Sequence, residues 1–396
     1  TDADLEYVSS IEKAQRQAAA AETAQLRQDV ASLQADLQQA RAQLNDRQAA
    51  LESEKRRAAK IRSALSAANA KLLEEKPAPA PANEAAPVNV LPMAALTKGR
   101  EGREMTEIGF LMDAGAVAFT DCDHVVRDTK VLSRALSYAR SLGALVIGHA
   151  QEPGLSDGAA ATSGKFASLR GLPAVSPMAE RMGLDRDIAL LEMTGARYHV
   201  DQITTARALP ALQRAKANGL DITAGTSIHH LTLNEFDVAD YRTFFKVKPP
   251  LRAEEDRLAV VEALREGVID LVSSMHTPQD EESKRLPFEE AASGAVALET
   301  LLPAALRLVH NGAIALPVLW RALSTNPARL LGLSAGRLQA DAPADLILFD
   351  PDAPFQLDRA ALFSKSKNTP FDGQRLQGKV LVTYVAGQRV FENVNA

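Results

Sequence analysis

The sequence carries one cysteine, Cys122, in 396 residues. An internal disulfide is thereby excluded, as is any cysteine-rich zinc site, and this usage fits a reducing, cytoplasmic setting. Cys122 stands between Asp121 and Asp123, whose charges disfavour a thiolate, so it reads as non-catalytic. No apolar run approaches the ~20 residues that span a bilayer, which argues against a membrane partner. The formal charge of -5 gives no reason to expect a nucleic-acid partner. Aromatic residues make up 5% of the chain, and Tyr7 is the only one before Phe110, so the first part has no globular core of its own. The sequence starts at Thr1 without a methionine, which leaves the true amino terminus, and any removed leader, as an open expectation.

What is present divides the chain. Leu26, Leu33, Ala40, Ile61 and Ala68 share one heptad position, and Val30, Leu37, Leu44, Leu51, Ala58, Leu65 and Leu72 share the other. The alternation of three and four does not slip from Leu26 to Leu72, so residues 1–76 read as a coiled-coil helix and predict a homo-oligomer. Arg47 and Glu54 interrupt the seam in adjacent heptads, which weakens its middle. The prolines at 77, 79 and 81 stop the helix, and residues 77–87 read as a semi-rigid linker.

After Pro87, strands alternate with helices. Strands are expected at 88–91, 116–120, 144–148, 196–200, 220–224 and 269–272. Helices are expected at 102–112, 129–142, 181–194, 204–218 and 254–266, with a long Gly/Ser/Ala-rich loop over 153–183. This βα repeat predicts an α/β fold, a partial TIM-like barrel over 88–335 followed by a small β segment over 336–396. Its organising stretch is Ala144-Leu-Val-Ile-Gly-His149. The strand ends in a histidine, and barrel chemistry sits where strands end. Asp121, His199, the pair His229 and His230, and His276 stand at comparable places, so five of the seven histidines follow or close predicted strands.

Several segments carry a family resemblance. They are Ala94-Ala-Leu-Thr-Lys98-Gly-Arg-Glu-Gly, Ala114-Gly-Ala-Val-Ala-Phe-Thr-Asp121, Gly148-His149-Ala-Gln-Glu-Pro, Tyr198-His199-Val and Ser227-Ile-His229-His230-Leu. Ser274-Met-His276-Thr-Pro-Gln-Asp280, Ser293-Gly-Ala-Val-Ala-Leu-Glu-Thr300, Ala344-Asp-Leu-Ile-Leu-Phe-Asp350 and Gly378 to Gly387 continue it. From about Val88 onward the chain resembles a dihydroorotase of the amidohydrolase superfamily. These are metal-dependent hydrolases of pyrimidine biosynthesis that interconvert carbamoyl-aspartate and dihydroorotate. A pair of divalent metals would supply the hydroxide and polarise the carbonyl of the cyclic amide, and imidazoles with carboxylates suit zinc. The resemblance implies Asp121, His149 and His199 as metal ligands and His230 and His276 as substrate-binding residues.

Two departures bear on activity. No His-x-His occurs in the sequence, and the family's last-strand aspartate, ligand and proton acceptor, is Met275. A methionine neither ligates a hard metal pair nor takes a proton, and Asp280 is off register. Lys98 reads as a surface lysine, and His310 and Trp320 as packing residues. No catalytic residue is therefore assigned, and little or no activity is expected. Three readings follow: a dihydroorotase-like hydrolase completed by another chain, an inactive homologue scaffolding aspartate carbamoyltransferase, and a coiled-coil oligomerisation protein carrying a partial barrel.

Overall fold

The computed structural model describes residues 86–393, with positions 34, 37–39, 41–43, 45–48, 52–53 and 56. Those positions between 34 and 56 are helical. The rest of the expected coiled coil, and residues 77–85 of the linker, lie outside the described residues. Contacts separate Thr1–Pro79 from Ala80–Ala396, and the α/β fold belongs to the second unit.

That fold begins with β1 (Met93–Ala94), α1 (Ile108–Asp113), β2 (Ala118–Thr120), α2 (Thr129–Leu142) and β3 (Leu145–Gly148). An excursion follows, made of α3 (Pro153–Ser156), β4 (Ala161–Thr162), α4 (Lys165–Arg170) and β5 (Ala174–Val175). The alternation resumes with α5 (Met178–Thr194), β6 (Arg197–Val200), α6 (Leu209–Ala217), β7 (Ile222–Ser227), α7 (Ile228–Thr232), α8 (Glu254–Arg265) and β8 (Leu271–Ser273). Four helices, α9 (Glu281–Arg285), α10 (Leu301–His310), α11 (Leu316–Trp320) and α12 (Asn326–Leu330), lead to the strands β9 (Leu346–Gln356), β10 (Arg375–Val385) and β11 (Gln388–Glu392).

Strands β1, β2, β3, β6, β7 and β8 form one sheet in that order, every neighbouring pair parallel. It curls as a partial barrel with β1 and β8 as its edges. The helices that cover it follow local rules. In α2 the carboxylate of Asp128 caps the amides of Lys130 and Val131, Gly143 at φ 68 closes the far end, and Leu132, Ala135, Leu136 and Ala139 make the buried stripe. Strand residues alternate between two environments. Phe119, Val146 and Tyr198 join the core under the helices. Ala118, Leu145 and Ile147 face the barrel interior, where Leu330 and Leu331 cover them.

Three expectations are corrected. The first strand falls at Met93–Ala94 rather than 88–91, because the pairing register with β2 joins Met93 to Ala118; Val88, Val90 and Leu91 stay exposed. The helix expected from 102 starts at Ile108, because Gly102 at φ 70 and the bridge between Thr97 and Met105 turn the preceding residues back. The stretch 153–183 is no bare loop, since it holds two short helices and the paired strands β4 and β5.

The carboxy-terminal sheet runs β11-β10-β9, antiparallel throughout. Trp320 packs edge-on against Phe349 with ring centres 5.2 Å apart, which fastens this sheet to α11. His310 sits 3.5 Å from Asp352. Among the described residues no helix is long and apolar enough to cross a membrane.

Candidate functional site

A cavity of about 690 Å³ opens at the carboxyl ends of β2 and β3, lined by His149, Gln151, Asp123, Lys246, Lys248, Arg100 and Arg103 among others. Strand β3 positions His149 one residue past its end. The imidazole is 4% exposed, and neither ring nitrogen has a hydrogen-bond partner. Burial above all, with a repulsive contribution from Lys248, lowers its pKa to about 4, so it stays neutral and offers one donor and one acceptor.

The other expected ligands have different surroundings. Asp121 is 4% exposed and already satisfied: it accepts from the Thr97 amide at 2.9 Å and the Thr97 hydroxyl at 2.5 Å. It thereby ties the segment after β1 to the end of β2. Asp121 and His149 meet along a small crevice of about 20 Å³. His199 does not join them. It pairs in register with Ile147, two residues short of His149, and lines neither the crevice nor the cavity. Its Nδ1 is 2.8 Å from the Thr223 hydroxyl, and its Nε2 is 3.0 Å from where a Cβ on Gly225 would stand. Burial, then Lys216, lowers its pKa to about 3.

His230 and His276 do not reach the cavity lining. His230 Nε2 donates to the Pro249 carbonyl at 3.1 Å. That fixes the tautomer, so Nδ1 accepts from the Ser227 hydroxyl at 2.7 Å. The imidazole is thus a pin that holds the cavity-lining segment Lys248–Pro250. Its pKa falls to about 3, through burial first and then Arg252. His276 Nδ1 accepts from the amides of Ala297 and Leu298, each at 3.2 Å. Met275 takes a left-handed backbone with φ 44.

Sequence reasoning missed the charged residues that build the site. Glu180 is 0% and Arg252 2% exposed. Glu180 accepts from the amides of Thr204 and Thr205, each at 2.9 Å, from the Thr205 hydroxyl at 2.8 Å, from the Thr204 hydroxyl and from Arg252 at 3.5 Å. Arg252 also donates to the Thr162 hydroxyl at 3.2 Å, locking the excursion to the barrel. Lys248 lies 3.1 Å from Asp123 at the cavity wall. The one signal available was Lys246-Val-Lys248-Pro-Pro, where two lysines alternate ahead of a rigid turn.

The donor set does not fit a zinc pair. All seven histidines lie among the described residues, and no group of three or more His, Cys, Asp or Glu there could hold a metal ion. Asp121 is engaged by Thr97 and His199 by Thr223, and His149 has no bonded partner.

Residues 50–208 match the family model described as dihydro-orotase-like. The dihydroorotase of Syntrophus aciditrophicus is 38% identical over 311 residues, covering 78% of this chain and 73% of that protein. The dihydroorotase of a Wolbachia from Drosophila simulans is 39% identical over 309 residues, covering 78% and 70%. Among solved structures, the L-hydantoinase (dihydropyrimidinase) of Arthrobacter aurescens superposes with a TM-score of 0.67 at 26% identity, over 75% of this chain and 69% of that one. The dihydropyrimidinase of Brevibacillus agri, at 23% identity and a TM-score of 0.64 over 73% and 68%, shares the fold. With a parallel barrel sheet, a site at its strand ends and this degree of identity, the chain belongs to the dihydroorotase family.

Proposed function

We propose that this chain is a non-catalytic member of the dihydroorotase family, a scaffold that self-associates through its amino-terminal heptads and holds an aspartate carbamoyltransferase partner. One observation carries the loss of turnover: His149 is a buried neutral imidazole with neither ring nitrogen bonded, and among the described residues no group of three or more possible metal ligands gathers around it. Hydrolysis of a cyclic amide at neutral pH needs an activated water and a general base, and Met275 stands where the family base would be. Self-association draws on the seam itself, whose described leucine, Leu37, is 54% exposed on the single chain.

The test is zinc content per chain, with dihydroorotate hydrolysis assayed on the same sample. Less than half an equivalent of zinc and no turnover are expected. About two equivalents with turnover would sink the proposal. A second reading, a hydrolase completed by another chain, draws on the edges β1 and β8, which are open among the described residues, since an unpaired parallel edge is a template for further strands. Zinc binding and turnover that appear only after a transcarbamoylase subunit is added would favour it.

A further inference from the structure

Lys246 stands at the cavity wall with the buried Lys284 behind it, and neither has a carboxylate within ion-pair distance among the described residues. Lys246 is 6% exposed and Lys284 4%. Lys246 lines the cavity, and its Nζ donates to the main-chain carbonyl of Glu289 at 2.7 Å. Lys284 Nζ donates to the carbonyls of Ala292 at 2.7 Å, Thr243 at 3.0 Å and Lys246 itself at 3.4 Å. Among the described residues neither forms an ion pair.

We infer that Lys246 is a covalent carbonyl-binding site, whose ε-amine condenses with a small 2-oxo acid entering the cavity to form an imine. Such a lysine must present a free lone pair near neutral pH, which desolvation and a neighbouring cation both promote. Burial holds Lys246 below the usual lysine range, and burial, then the charge of Lys246, brings Lys284 down to about 8. Two features oppose this, the Glu289 carboxylate and the Phe288 ring, whose centre lies 6.0 Å from Nζ; desolvation outweighs them. One N–H satisfies the Glu289 carbonyl and leaves the lone pair available. The acid function of the ligand is met by Arg100 and Arg103, which line the same cavity and have no ion-pair partner among the described residues.

The step balances without a metal or a redox partner. The Nζ lone pair attacks the carbonyl carbon, the carbinolamine forms, and water leaves with the carbonyl oxygen and two protons. Amine and carbonyl thus give imine and water. The inference is independent of the scaffold proposal and stands or falls separately from it.

The test treats the full-length protein near neutral pH with glyoxylate and cyanoborohydride, which reduces the imine to a stable secondary amine, and maps modified lysines by peptide mass spectrometry. Lys246 is expected to be modified about threefold or more faster than exposed Lys130 and Lys165. Modification no faster than at those two overturns the inference. Relative to Lys130, the preference for Lys246 should be greater with glyoxylate than with neutral acetaldehyde; an equal preference overturns the assignment to an oxo acid. In Lys246→Gln, checked for folding by circular dichroism, no remaining lysine should outpace Lys130 and Lys165; one that does overturns the assignment to Lys246. The ranking of lysines in the unsubstituted protein decides the site even where that variant does not fold.

Discussion

The hydroxyl oxygen of Tyr198 lies 1.7 Å from the point that a Cβ on Gly148 would occupy. The contact is built into the pairing of β3 with β6, and it places a buried phenol beside the residue that precedes His149. Tyr198 donates to Asp187 at 2.6 Å, and Arg186 reaches the other oxygen of that carboxylate.

Gly148→Ala should therefore lower stability by about 1–3 kcal/mol through overpacking, measured as a shift in urea midpoint at constant slope. Tyr198→Phe removes the hydrogen bond to a buried carboxylate, at a cost of about 1–3 kcal/mol. A neutral Gly148→Ala would mean that the two strands sit farther apart than described here.

Arg252 and Glu180 form a pair that water does not reach. Arg252→Met leaves a buried carboxylate with only threonine and amide donors, and a loss of about 3–5 kcal/mol is expected. Adding Glu180→Gln should recover part of it, because the uncompensated charge is then gone. A Glu180→Gln cost that is the same with and without Arg252→Met would show that the ion pair is not coupled.

Stability should fall steeply as pH drops from about 6.5 towards 4. His149 and His229 are brought down to about 4, and His199 and His230 to about 3, by burial first. Each folded pKa lies below the unfolded value of 6.5, so in this window the unfolded chain binds more protons, and stability is lost as they bind. Between pH 7 and 5 the loss is about 2 kcal/mol per histidine. Asp201, raised to about 6 by burial, works in the opposite direction over the acid part of the window, as do Asp187 and Glu235, also raised by burial, while His276, lowered by burial, adds to the four. Denaturant melts at a series of pH values check the slope, which His149→Gln should reduce by about one proton. A flat profile would contradict the burial of these imidazoles.

Each seam leucine removed should weaken self-association by tenfold or more, since burying one contributes about 1.5–3 kcal/mol. Sedimentation velocity on full-length Leu37→Lys and Leu44→Lys should show smaller species at a given concentration than the unsubstituted chain. An unchanged distribution would move self-association away from the heptads.

By itself the sequence determined the α/β repeat, the place of α2 at Thr129–Leu142 and of His149 at a strand end, because apolar period, an Asp cap and a closing Gly are local signals. The identity of Met275 and the lack of a His-x-His were equally legible, since they are facts of composition. Only the tertiary structure decided that Asp121 is bonded to Thr97, that His199 is engaged by Thr223, and that His230 pins Pro249 rather than facing the cavity. Those outcomes rest on strand register and on partners such as Thr97 and Thr223, each 24 residues away along the chain. The pairing of Lys246 with Lys284, 38 residues apart, was hidden for the same reason: a lysine's environment is set by what the fold packs against it, and no local pattern encodes that.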